Sequence, residues 1–200
     1  MINAIYVLFV AVWKTEQIPE TWLDSELIPV FKQRGSRTCL DNYRFLHLKD
    51  DISKLFSQIV FEKTKDKLIN NMSKFQIAAK PGHRATEHLF CMMSLIQLNE
   101  IRGSAIYLCL FDIVKFFDKE SVYDCQFELY KSNIRGRLYR LVFKLNENIR
   151  IRVRTPVGLT EAEDSGAGVG QGTVLGSITS SVSLDSGITE EFNDVDNENN

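Results

Sequence analysis

Apolar positions in this chain follow a helical period in several stretches and a two-residue period in one. Ile52, Leu55, Phe56, Ile59, Val60 and Leu68 are spaced by threes and fours, and Asp50 or Asp51 stands where a helix N-cap belongs. That spacing predicts a packing helix. After the Lys80-Pro81-Gly82 turn, Thr86 offers the cap of a second helix, reaching about Ile101 and burying Leu89, Phe90, Met93 and Ile96. Two more helices are expected at about 120–131 and 136–146. The run from Ile2 to Trp13, broken only by Asn3, reads as a buried helix. It is too short to span a bilayer, and it lacks the basic start and cleavage site of a signal peptide.

The extended pieces are fewer. Leu27 to Phe31 is a short strand candidate, followed by a basic turn (Lys32, Gln33, Arg34, Gly35) and a second extended piece through Asn42, Tyr43, Arg44 and Phe45. Ile149-Arg150-Ile151-Arg152-Val153-Arg154 alternates strictly, with branched residues on one face and three arginines on the other. Ala105 to Phe111 is apolar or aromatic throughout, with no helical period, which predicts a fully buried central strand.

That run ends on Asp112, and Asp118 follows after Phe116 and Phe117. A carboxylate at the end of a buried strand can hold a hard cation through oxygen, or it can merely cap the next helix. Nothing local separates the two readings. Gly166, Gly168, Gly170 and Gly172 surround Val169 and Gln171 in a loop that is neither a P-loop nor GxGxxG. Cys39, Cys91, Cys109 and Cys125 form no CxxC pair, so a reducing, intracellular setting is expected. His83, His88 and Cys91 lie close together but lack a fourth ligand for zinc.

Composition is that of an ordinary globular protein, and the net charge of −2 conceals segregation. Residues 32–90 hold 12 basic against 6 acidic side chains, 131–154 hold 8 against 1, and 161–200 hold none against 9. Two basic blocks around an acidic centre suit a polyanion path, although solvated helix faces would give the same count. From about Ser186 the chain is polar and acidic and reads as disordered.

Taken in order, these pieces resemble the reverse transcriptase domain of non-LTR (LINE-like) retrotransposons, over about Ile18 to Ser177. IPETWLDSELIPVFKQRG looks like the family's opening block of Ile-Pro, Trp and Pro-x-x-Lys. DNYRFLHLKDDISKLFSQIV is similar to NYRPISLL with its following helix, and FQIAAKPGHRATEHL to the Gln-x-Gly block. YLCLFDIVKFFD resembles the first palm motif, FLDLSKAFD, and GVGQGTVLGS the second, GVPQGSVLGP.

The resemblance implies an α+β right-hand polymerase fold, with helices packed on an antiparallel sheet. Residues 1–104 would form the fingers, 105–185 a partial palm and 186–200 the acidic tail. It implies RNA-directed DNA polymerisation by two-metal nucleotidyl transfer, with Mg²⁺ as cofactor and RNA template, DNA primer and dNTPs as partners. Asp112 would be catalytic, holding metal together with the Ile113 carbonyl. Lys32, Arg44, Phe117, Gly170, Gln171 and Gly172 would bind the nucleotide, Phe117 as the sugar gate. Lys80, Arg150, Arg152 and Arg154 would meet template or primer phosphates. A nuclear or cytoplasmic location follows, with no membrane.

The family's third palm motif, an aromatic and a variable residue before two aspartates, has no counterpart after Gly172. The expectation is therefore a palm truncated before its last hairpin and thumb, in need of a C-terminal partner segment and inactive alone. A non-catalytic nucleic-acid-binding remnant is the second reading. An unrelated α/β enzyme with Asp112 and Asp118 as an acid–base pair is the third.

Overall fold

The computed structural model describes residues 2–114, 116–165 and 174–198, and the side chains of these except 117, 118, 174 and 189–198. It is a mixed α+β structure. Helix α1 (Ile2–Thr15) opens the chain, and a single 3-10 turn (Glu20–Trp22) leads into β1 (Asp24–Phe31). Strand β2 (Tyr43–Leu48) returns antiparallel, with Phe31 opposite Tyr43 and Glu26 opposite Leu48. Then come α2 (Asp51–Asn71), α3 (Ala85–Arg102), the short α4 (Phe116–Lys119), α5 (Val122–Lys131) and α6 (Gly136–Asn146).

Strand β3 (Arg150–Thr155) pairs parallel with β1, Asp24 opposite Arg150 and Leu27 opposite Val153. The chain turns at Pro156-Val157 and comes back along the outer edge of β3 in two pieces, β4 (Gly158–Leu159) and β5 (Glu163–Asp164). Helix α7 (Val174–Glu198) closes the order. The sheet is thus mixed rather than antiparallel, with β1 at its centre between β2 and β3.

Capping chemistry places α2 where the pattern predicts. The Asp50 carboxylate accepts from the Ile52 and Ser53 amides at 2.8 and 3.1 Å. Its buried stripe is Ser53, Phe56, Val60, Thr64 and Leu68, whereas Ile52, Leu55 and Ile59 lie on its exposed flank. Two small polar residues serve the stripe because Thr64 returns its hydroxyl to the carbonyls of Val60 and Phe61. α7 packs against α2 and α5, and α6 packs against the same two helices. Their shared core holds Phe56, Leu129, Ile134, Leu141, Leu145 and Ile178. α1 joins with its C-terminal half, where Val12 is buried and the Phe9 ring meets Trp22 and Phe56 edge-on. Its first turns, expected to be buried, leave Ile2, Tyr6 and Val7 exposed.

Three further expectations are corrected. Ala105–Phe111 forms no strand: the backbone from 104 to 113 is irregular, and Tyr107, Leu110 and Phe111 are each at least 90% exposed. A strand is held by its ladder and by side chains packed on its faces, and no described strand pairs with this one. α3 forms, with Glu87 accepting from the Arg84 amide and Gly103 in the left-handed conformation ending it, but none of its residues is buried. Leu89, Phe90 and Met93 point to solvent and Ile96 is half-buried, because no other element among the described residues packs closely on this helix. The acidic stretch from Ser186 is helical as far as Glu198, since extending a helix already anchored by Leu175, Ile178 and Val182 costs little. No helix among the described residues is long and apolar enough to cross a membrane.

Candidate nucleic-acid interface

The β1–β2 hairpin carries the first group of cations. Its tip is shaped by residues in the left-handed region, Gln33 (φ 59°) and Gly35 (φ 72°), the second pressed close to the Asn42 side chain. Asn42 donates to the Ser36 carbonyl at 2.8 Å, and Tyr43 Oη donates to the Arg37 carbonyl at 2.8 Å. The Arg37 guanidinium lies over the Phe31 ring at 5.1 Å, and that ring contacts Tyr43 at 5.4 Å. Arg34, Arg37 and Arg44 are exposed at this end of the sheet. Lys32 is held more closely, donating from Nζ to the Asp41 carbonyl at 2.9 Å.

The second group comes from β3. Strand alternation puts Arg150, Arg152 and Arg154 on one face, as the pattern predicts. Register puts Asp24 and Glu26 of β1 beside them. Arg150 Nε lies 2.8 Å from Asp24 Oδ1, and Arg154 pairs with Glu26. The cationic face is therefore partly neutralised from within the sheet. Arg152, directly opposite Glu26 in register, is exposed and forms no ion pair among the described residues. The same face continues across β1 through Val30 to Arg44, its partner in register on β2. Arg44 and Arg152 thus come to one side of one sheet from blocks far apart in sequence.

No protein-family model matches this chain, and a search of curated proteins finds no relative. Its interface rests on its own residues.

The rest of the basic block from 131 to 154 is occupied in holding the fold. Arg137 and Arg140 pair with Glu16, Lys144 donates to the Glu16 carbonyl, and Lys131 pairs with Glu128. The Arg135 guanidinium stacks on the Tyr130 ring at 3.4 Å. Lys80, expected at phosphate, turns inward and donates to the Ser73 carbonyl at 2.8 Å. Asp112 and Ile113 lie on the exposed irregular segment, off any strand end. The side chains of Phe117 and Asp118, and all of Gly170, Gln171 and Gly172, lie outside the described residues.

A two-metal centre needs convergent carboxylates. Among the described residues no three His, Cys, Asp or Glu side chains come together to hold a metal, and the exposed Asp112 does not fit that role in this arrangement. The same placement gives the Asp112–Asp118 acid–base pair no rigid support. His83 and His88 diverge: one meets Glu87 at 2.8 Å, the other the Phe75 carbonyl at 3.0 Å.

Sequence reasoning missed Arg37 and Lys49. Arg37 could have been found from its place inside a basic turn flanked by Phe31 and Tyr43. Lys49 follows an alternating strand and gave no local signal, since the Leu145 carbonyl that takes its Nζ lies 96 positions away.

Proposed function

We propose that this chain is a nucleic-acid-binding part of a non-LTR-type reverse transcriptase, gripping RNA on the exposed face of its sheet and not polymerising by itself. The observation that carries this reading is the placing of Arg44 and Arg152 on one face of the sheet, with Arg34 and Arg37 at the hairpin tip. Cations spread along a strand face and a turn suit a phosphate backbone. The order of the five blocks supports the reverse-transcriptase assignment. In that reading primer, dNTPs and Mg²⁺ belong to the complete polymerase, which would work in the nucleus or cytoplasm.

Fluorescence polarisation with a labelled single-stranded RNA over a series of salt concentrations tests it. Binding should weaken steeply with salt, and Arg44→Ala should lower the slope by about one counterion. No Mg²⁺-dependent primer extension is expected. Absence of RNA binding at low salt would end the binding proposal. Extension abolished by Asp112→Ala would instead show that the chain polymerises.

A further inference from the structure

Strand β2 forms one edge of the sheet: β1 pairs with it on one side, and no described strand pairs with it on the other. Its register with β1 runs unbroken from Tyr43 to Leu48, so no bulge turns the edge away, and no proline blocks it. The outer row of backbone groups can therefore take another strand. Along β2, Arg44, Leu46 and Leu48 are exposed, and Tyr43, Phe45 and His47 are half-buried.

Ala105–Phe111 has a strand's composition without a ladder, and the chain does not bring it to its own β2. Asp112, which ends the run, is exposed like Arg44. Laid antiparallel on β2 with Asp112 opposite Arg44, the segment puts Leu110 opposite Leu46 and Leu108 opposite Leu48. Two leucine pairs and an ion pair then share the exposed face, and Phe111 meets Phe45 on the other. A parallel alignment over the same residues sets Asp112 against Leu48 and Leu108 against Arg44. A slip of one residue sends every side chain to the wrong face. Charge and apolar positions thus select one register.

The exposed surface of Tyr107, Leu108, Leu110 and Phe111 comes to on the order of 600 Å². One such segment is too little for a stable pair. Two, exchanged about a twofold axis, reach the roughly 1,200 Å² at which specific interfaces begin, before the β2 surface they cover is counted.

We propose that a second copy of this chain supplies the missing strand. Residues 107–112 of each copy add antiparallel to β2 of the other, with Asp112 paired to Arg44. Association of this kind needs no RNA and is measured without it.

Sedimentation equilibrium of the whole chain from low to high micromolar concentration should show a monomer–dimer equilibrium. Ellman labelling of Cys109 should slow as the dimer forms, while Cys39 and Cys91 stay fast. Adjacent strand amides point to opposite edges, so Leu108→Pro with Cys109→Pro removes one ladder donor whichever edge faces β2. Both residues are exposed on an irregular segment, so this double variant should keep its melting temperature and stay monomeric. Arg44→Asp should weaken dimerisation about fivefold or more, and Asp112→Arg in the same chain should restore it. Four results would each overturn the proposal. They are a monomer at every concentration, undiminished dimerisation in the double-proline variant, Cys109 protection that ignores concentration, and failure of the charge exchange to restore association. The second would trace association to the apolar side chains of α3, and the third would mean that the segment folds onto its own chain.

Discussion

Glu16 and Arg140, 124 positions apart, form a two-pronged ion pair in which Arg140 Nε and Nη2 each lie 2.6 Å from a separate carboxylate oxygen. Glu16 ends α1 in the left-handed conformation (φ 58°), and its own carbonyl accepts from Lys144. One residue thereby ties the first helix to α6.

The pair gives this joint a pH dependence. Hydrogen bonding from Arg140, with help from Arg137, holds the Glu16 carboxyl at about 2, against 4.5 for the free group. A carboxylate with a lowered native pKa stabilises above the unfolded value and loses that contribution as pH falls toward the native one. Acid unfolding followed by circular dichroism should therefore show a loss between about pH 4.5 and 2. Glu16→Gln should be less stable at neutral pH and flatter across that window. An unchanged acid profile would remove the pair from the stability account.

The thiols should divide three to one. Cys39, Cys91 and Cys109 are exposed, whereas Cys125 is buried, and burial together with the nearby Glu120 carboxylate pushes its thiol up to about 12. Ellman's reagent at mildly alkaline pH should label the first three rapidly and Cys125 only on unfolding. Protection of Cys109 in the folded chain would mean that the segment after α3 is covered in solution.

Core and arm should respond oppositely to substitution. Leu141, fully buried where α6 meets α2 and α5, should cost about 2–5 kcal/mol as Leu141→Ala. Leu110, 90% exposed, should change stability by no more than about 0.5 kcal/mol as Leu110→Ser, and solubility should rise. Urea midpoints for the two variants check both halves. A large loss at Leu110 would show hidden packing.

Arg152 and Arg154 share a face but should not behave alike. Arg152→Ala should leave the melting temperature unchanged and reduce the salt slope of RNA binding by about one. Arg154→Ala also strips Glu26 of its partner, and because that pair is largely solvated the stability loss should stay within about 1 kcal/mol. Melting curves and RNA titrations on both variants separate binding from folding.

Local chemistry was legible wherever the chain carries its own cap or period. The Asp50 cap, the β3 alternation and the hairpin between Phe31 and Tyr43 stand where the pattern places them. What the pattern could not contain was the partner. Ala105–Phe111 has the composition of a buried strand, but composition does not supply the ladder that makes one, and the segment stays irregular. The same holds for α3, whose apolar stripe is real and uncovered. The arginine face of β3 implies an anionic neighbour, but its identity was not legible because Asp24 and Glu26 lie more than a hundred positions upstream. Only the parallel pairing brings them alongside.

That pairing also governs how the molecule comes together. Glu26 and Arg154 are 128 positions apart, and α2 through α6 all lie within the loop that joining β1 to β3 must close. The entropy of closing so long a loop is spent before any ladder bond repays it, whereas α5 and α6 meet across a short connection. α5 and α6 should therefore pair before β1 and β3 join and bring Arg44 and Arg152 to one face.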